Sequence, residues 1–209
     1  MCAIFYDDLK AAEFADWFRV PELPELETPL LYPGYTARIL GQNHEGEWRA
    51  RTARWGLSPQ WVEDPLKTKL TFNARSETIG EKPTFAPAFR KRRCLLIGRA
   101  YFEWIGEKGK MQPVRFGRKD GKPLLFAGLW EVWRREGREV VSCTMATTGA
   151  NGFVANYHDR MPVVLEPDEA VVWVNPGTPE AELRRLLAPA DESLLTAEVT
   201  TRSALEALR

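Results

Sequence analysis

Apolar residues along the chain fall mostly in short runs that alternate with polar ones, broken by glycine, proline and lysine. Seven stretches read as strands on that pattern: residues 35–40, 47–56, 94–105, 113–117, 123–133, 139–148 and 162–165. Segments such as Gly106 to Lys110 and Lys119 to Lys122 mark the turns between them. At two places the period becomes helical. Phe14, Trp17 and Phe18 share one helical face, and Asp7 or Asp8 would cap the helix that carries them. Thr178-Pro179 marks the start of a second helix, with Leu183, Leu186 and Leu187 as its apolar stripe. Residues 19–34, with Pro21, Pro24, Pro29 and Pro33, read as an extended surface segment. Many strands and few helices, not in strict alternation, predict an α+β fold around a largely antiparallel sheet or barrel.

At 209 residues, one compact domain over 1–209 is expected, with 176–209 helical and less well defined by its pattern. Hydrophobic content of 44% and charged content of 28% are those of a globular chain. No apolar run approaches the roughly 20 residues of a membrane span, and no basic-then-apolar leader is visible. Cys2, Cys94 and Cys143 are too few for a disulfide framework, and no Cys or His pair has metal-ligand spacing. A reduced, cytoplasmic protein without metal or cofactor is the resulting expectation.

The net charge of zero hides an uneven distribution. Residues 1–35 carry −5, residues 36–138 carry +11 and residues 139–209 carry −6. A basic middle can form a positive groove on a neutral protein, unless acids distant in sequence neutralise it in space.

Four residues are candidates for chemistry. Cys2 becomes an N-terminal cysteine if Met1 is removed, and its amine and thiol then sit on adjacent carbons. That pair closes a five-membered thiazolidine ring on an aldehyde. The alternative is a small buried residue starting an edge strand. Glu103, in Ala100-Tyr101-Phe102-Glu103-Trp104-Ile105, would share a strand face with Tyr101 and Ile105, opposite Phe102 and Trp104. A carboxylate among aromatics suits acid–base work, although a glutamate at a strand end also reaches solvent or a salt bridge. His158 lies between a polar turn and an apolar run, as a proton shuttle or a structural hydrogen bonder; His44 reads as a solvated loop residue. In Phe72-Asn73-Ala74-Arg75-Ser76-Glu77-Thr78, Asn73 can orient a carbonyl and Arg75 can hold a phosphate, or Ser76 can start a helix. Arg90-Lys91-Arg92-Arg93 is a solvated face or a binding patch, and Trp48, Trp55, Trp61 and Trp104 are core residues or base-stacking platforms.

Taken in order, these stretches resemble the SRAP family (SOS response-associated peptidase). The motifs are Met1-Cys2, Arg54-Trp55-Gly56-Leu57-Ser58-Pro59-Gln60-Trp61, the Phe72 to Thr78 segment, and Arg92 to Ile97 running into Tyr101-Phe102-Glu103-Trp104. Phe126 to Glu131, Ser142 to Thr148 and His158-Asp159-Arg160-Met161-Pro162 complete the series, to about residue 165. The resemblance implies a compact α+β domain with a twisted, mostly antiparallel, barrel-like sheet core flanked by helices, and a positive cleft. It implies removal of Met1, by the chain itself, and a covalent thiazolidine crosslink between Cys2 and an abasic site in single-stranded DNA, with lyase activity as a side path. The family's catalytic residues fall on Cys2, Asn73, Glu103 and His158, and its DNA-contacting arginine on Arg75. Trp55 and Trp61 would shape the strand path, and Arg160 joins the expected DNA contacts. The chain departs from the family's Cys-Gly-Arg start with Ala3-Ile4, and Arg38 is the expected source of the lost charge. A monomer is expected, in the cytoplasm and on the nucleoid if bacterial. Two rival readings remain: a thiol peptidase or N-terminal-nucleophile hydrolase, and a non-covalent single-stranded DNA-binding protein with a structural Cys2.

Overall fold

The computed structural model describes residues 2–107 and 109–209; Met1, whose removal the sequence reading expects, and Lys108 of the Gly106–Lys110 turn lie outside the described residues. The described strands are β1 (Ile4–Tyr6), β2 (Leu30–Leu31), β3 (Thr36–Gln42), β4 (Trp48–Trp55), β5 (Asn73–Arg75), β6 (Arg93–Gly98), β7 (Ala100–Ile105), β8 (Gln112–Arg118), β9 (Leu124–Arg135), β10 (Arg138–Gly149), β11 (Arg160–Pro162), β12 (Val164–Leu165) and β13 (Leu195–Val199). The helices are α1 (Ala86–Lys91), α2 (Pro167–Val174), α3 (Glu180–Arg185) and α4 (Arg202–Glu206). The fold is the expected α+β domain.

Two sheets form it. The smaller is antiparallel throughout, in the order β13-β8-β7-β1-β2. The larger runs β11-β10-β4-β3-β6-β9-β12, with β5 attached to β10. Because β10 also pairs with β9, strands β10, β4, β3, β6 and β9 form a hydrogen-bonded ring. This ring-like bonding, without a closed barrel, is the form the barrel-like core takes. Most of it is antiparallel, but β10 meets β4 and β5 in parallel.

The expected strand 94–105 is two strands in two sheets. The chain crosses between them at Gly98-Arg99, where Arg99 N–H donates to the Tyr6 carbonyl at 2.7 Å. A Cβ on Gly98 would sit 3.1 Å from that same carbonyl oxygen and 3.1 Å from the Phe126 ring, so a larger residue would have to push its neighbours back at this corner. The Arg99 side chain bonds Asp8 and Glu13, which ties the corner to the N-terminal segment.

The first helix is shorter than its pattern predicts. Only a single 3-10 turn, Ala11–Phe14, forms after β1, although Phe14 and Phe18 are buried as expected. Neither aspartate caps it, because both are bound elsewhere: Asp8 by Arg99 and Asp7 by Arg38. The second helix appears as α3, with Pro179 just before it and Leu183 and Leu187 buried. Residues 19–34 are largely without regular structure, but β2 within them is buried against β1.

A large apolar cluster made by both sheets contains Phe5, Trp55, Tyr101, Phe116, Phe126 and Met145. A second holds Phe14, Trp48, Phe89 and Trp173 and lies under the helices. Arg38 and Asp7 are a buried ion pair, with Nη2 2.5 Å from Oδ1 and Nε 2.8 Å from Oδ2, which joins the end of β1 to β3. Breaking one partner leaves a buried charge, so Arg38→Met should destabilise the fold by roughly 3–5 kcal/mol. Replacing both, as Asp7→Leu with Arg38→Met, should recover much of that loss. Urea unfolding of the two variants and the parent checks both statements.

Candidate active site at the seam between the sheets

Cys2 lies just ahead of β1, which runs between β7 and β2 in the interior of the smaller sheet. The edge-strand reading of Cys2 is therefore corrected. The side chain is 1% exposed and belongs to the inter-sheet cluster. Its Sγ donates to the Ile4 carbonyl at 3.6 Å. Burial, and then the negative charge of Glu103, push the thiol well above the usual cysteine range.

Asn73 opens β5, a three-residue strand held in parallel register by Met145 to Thr147 of β10. Its Nδ2 donates to the Cys2 carbonyl at 2.8 Å, across the seam between the sheets. Its Oδ1 is buried without a hydrogen-bond partner among the described residues.

Glu103 is on β7, opposite Val114 of β8, and is 3% exposed. The face predicted by alternation is the one observed: Tyr101 and Ile105 join the inter-sheet cluster, while Phe102 and Trp104 pack on the far face. Burial is the main cause that raises the Glu103 carboxyl from 4.5 to about 7, and the charge of Asp159 adds to it. Near neutral pH the group is thus divided between acid and base forms.

His158 ends the turn before β11, with Nε2 3.8 Å from Glu103 Oε2. Both backbone groups of Arg160 orient the ring, its N–H 2.9 Å and its carbonyl oxygen 3.2 Å from His158 Nδ1. The exposed Asp159 carboxylate is 3.0 Å from the same Nδ1 and favours the charged ring. Burial outweighs it and moves the imidazole below its usual range. His44, by contrast, is solvated, with 89% of its side chain exposed.

Tyr101 was not singled out by the sequence as a site residue, although its place two residues before Glu103 was the available signal. Its ring stacks on Phe116 at 4.8 Å and 8°, and its hydroxyl is buried without a hydrogen-bond partner among the described residues. Burial, then the negative charges of Cys2 and Glu103, push the phenol well above its usual range.

The expected DNA contacts are less uniform. Arg75 is exposed at the end of β5 and forms no ion pair among the described residues. Arg160 is held by the Glu77 carboxylate and by the Thr147 carbonyl at 2.8 Å, so part of its charge is already matched. Trp61 is 66% exposed, whereas Trp55 is fully buried with its indole N–H on the Phe72 carbonyl at 2.9 Å. Trp55 therefore has no ring face for a base. Arg38 is corrected likewise, since its guanidinium is buried on Asp7 and does not reach the site. In the 90–93 cluster, Arg93 is buried and donates to carbonyls of Phe89, Arg90, Trp173 and Asn175, and Arg92 bonds Glu131. Among the described residues no helix is long and apolar enough to cross a membrane.

Fold and site together define a cysteine-centred α+β protein whose thiol, amide, carboxylate and imidazole meet between two sheets. The chain belongs to the SOS response associated peptidase (SRAP) family, whose model it matches over residues 1–203. It is 39% identical over 142 residues to the abasic site processing protein YoaM of Bacillus subtilis, a match covering 66% of this chain and 62% of that one. It is 37% identical over 142 residues to the abasic site processing protein YoqW of the same organism, covering 66% and 63%. The chain thus matches less than two thirds of the length of these relatives. A crystal structure of a Bordetella bronchiseptica protein superposes with a TM-score of 0.84 at 28% identity, covering 96% of this chain and all of the other.

Because folding raises the Glu103 carboxyl, the native state binds its proton more tightly than the unfolded chain does. The stability it contributes is present below its ordinary value of 4.5 and is lost as pH rises through about 7. Glu103→Gln removes that dependence. Relative to the parent, the variant should gain roughly 1–3 kcal/mol as pH rises from about 5 to about 8. Thermal unfolding of both proteins across that range measures it; a constant difference would contradict the raised carboxyl.

Proposed function

We propose that this chain captures abasic sites in single-stranded DNA by forming a thiazolidine between Cys2 and the aldehyde of the open sugar. The observation that carries the reading is the 2.8 Å bond from Asn73 to the Cys2 carbonyl, beside a buried Glu103 that changes protonation near neutral pH. The names of the relatives, abasic site processing proteins, support the same substrate.

The order of steps follows from the electrostatics. Removal of Met1, by the chain itself, frees the Cys2 amine. The thiol is protonated at neutral pH, so the amine attacks the aldehyde carbon first. The carbinolamine loses water to give an imine, with Glu103 delivering the proton that the leaving hydroxyl needs. Glu103, now ionised, takes the thiol proton and is restored; the C–S bond forms, and the C=N electron pair goes to nitrogen, which has kept its hydrogen as the protonated imine. One water is released overall. His158, neutral and with Nε2 toward Glu103, moves protons at the sugar during ring opening. Asn73 holds the Cys2 backbone, which leaves amine and thiol free to react. Strand cleavage from the imine is the lyase side path. Arg75 and Trp61 guide the strand, the first through phosphate and the second through a base.

A denaturing gel tests the reading. Protein shown by mass spectrometry to begin at Cys2 should give a shifted band with single-stranded DNA carrying one abasic site, and Cys2→Ala should give none. No band from correctly processed protein, or a band that survives Cys2→Ala, overturns the proposal. Arg75→Ala should weaken non-covalent binding similarly for every sequence and lower the salt dependence of binding by about one charge.

A further inference from the structure

The sulfur of Cys2 has the wrong neighbour for the chemistry proposed above. Its hydrogen bond goes to the Ile4 carbonyl, an acceptor that holds an S–H and repels a thiolate. A sulfur that develops negative charge inside a buried site needs a donor.

Tyr101 is placed to be that donor. It lies directly opposite Phe5 of β1 and Phe116 of β8, in the same cluster as Cys2, and on the strand face that carries Glu103. Its two cross-strand neighbours are phenylalanines, and a phenylalanine would fill this position as well. The hydroxyl instead stands buried without a partner among the described residues, an arrangement that costs about 1–3 kcal/mol in a resting fold. Such a group is retained where something else in the site uses it.

We propose that Tyr101 is a positioning residue whose hydroxyl donates a hydrogen bond to the Cys2 sulfur when that sulfur carries negative charge. This rests on the functional reading above for its role in ring closure. In closure, the thiol proton passes to Glu103, and the sulfur, steadied by the Tyr101 hydroxyl, leaves the Ile4 carbonyl and bonds the imine carbon. In reversal, the nitrogen lone pair re-forms the C=N bond as the C–S bond breaks, its electron pair goes to sulfur, and the same hydroxyl donates to the thiolate. Tyr101 transfers no proton and changes both directions alike. Among the described residues, the other titratable or charged groups facing the site are Glu103 on β7, and His158 and Asp159 before β11, and protein beginning at Cys2 adds the amine of that residue.

The test is Tyr101→Phe in protein beginning at Cys2, with two readouts. The first uses no DNA: alkylation of Cys2 by iodoacetamide across pH, followed on the N-terminal peptide by mass spectrometry. The midpoint should move up by about one pH unit or more, because a hydrogen bond to a charged group is lost. Replacing Tyr101 with 3,5-difluorotyrosine, a stronger donor of nearly the same shape, should move it down. The second readout is the crosslink to abasic DNA. Where sulfur addition limits the rate, formation and reversal should both slow by about tenfold to a hundredfold with the final yield unchanged. Thermal unfolding should show no loss of stability in Tyr101→Phe, since the hydroxyl it removes is unpartnered. An unchanged alkylation profile in both variants overturns the proposal. If the parent itself fails to capture abasic DNA, the functional reading falls, and the alkylation profiles still decide the role of Tyr101.

Discussion

The hydrogen bond from Asn73 to the Cys2 carbonyl is the constraint on which the site depends. Cys2 and Glu103 belong to the smaller sheet, and Asn73 and His158 belong to the larger one. Neither sheet alone holds a complete set. Their relative position is fixed by a close-packed cluster that includes Phe5, Trp55, Tyr101, Phe116 and Phe126, and by the Asp7–Arg38 pair. Asn73 binds the Cys2 backbone carbonyl and not the thiol, so it fixes where Cys2 sits and leaves the sulfur unbound by the amide. β10 makes this possible. It trades partners along its length, from β9 to β11 on one side and from β4 to β5 on the other, and so carries Asn73 and the β11 turn toward the same seam.

Burial has opposite effects on the groups gathered there, and the site works through that contrast. It suppresses the thiolate, raises Glu103 into the neutral range and keeps His158 uncharged. A buried thiol that is reluctant to ionise is less open to oxidation and alkylation than an exposed one. An exposed cysteine of ordinary acidity would lack that restraint. The cost is a raised carboxyl and a buried phenol without a hydrogen-bond partner among the described residues, a local loss of stability of the kind that accompanies prepared sites.

Much of this was legible in the sequence where the pattern was long and regular. Strands β3, β4, β8, β9 and β10 fall on the stretches 35–40, 47–56, 113–117, 123–133 and 139–148 read as strands, and the Tyr101/Glu103 face was set by spacing of two. Short elements escaped for a physical reason. β5 has three residues and exists because β10 offers it an edge, so its own pattern says nothing. Helices α1 and α2, each opening with a proline in its first turn, were missed because their lengths are below those at which a period stands out. Isolated charges misled most. Arg38 looked free, and its partner is 31 residues away; Arg93 looked like surface, and it bonds carbonyls at the C-terminal ends of α1 and α2 and that of Asn175 just after α2. Trp55 belongs to a motif and to the core at once, and only its zero exposure separates the two.

The Ala3-Ile4 departure from the expected Gly-Arg now has a structural context. Ile4 is 6% exposed and packs with Leu30, Ala100, Phe102 and Leu205 on the outer face of the smaller sheet. Leu205 comes from α4, in the part of the chain where no motif was recognised. That tail first adds β13 to the edge of the sheet beside β8 and then lays α4 over β1. An arginine at position 4 would have to bury its charge beneath α4 or displace it, and either is costly. The apolar residue and the covering helix are therefore one adaptation. It removes a cation from this face of the sheet, while on the larger sheet Arg75 stands exposed at the end of the strand that also carries Asn73.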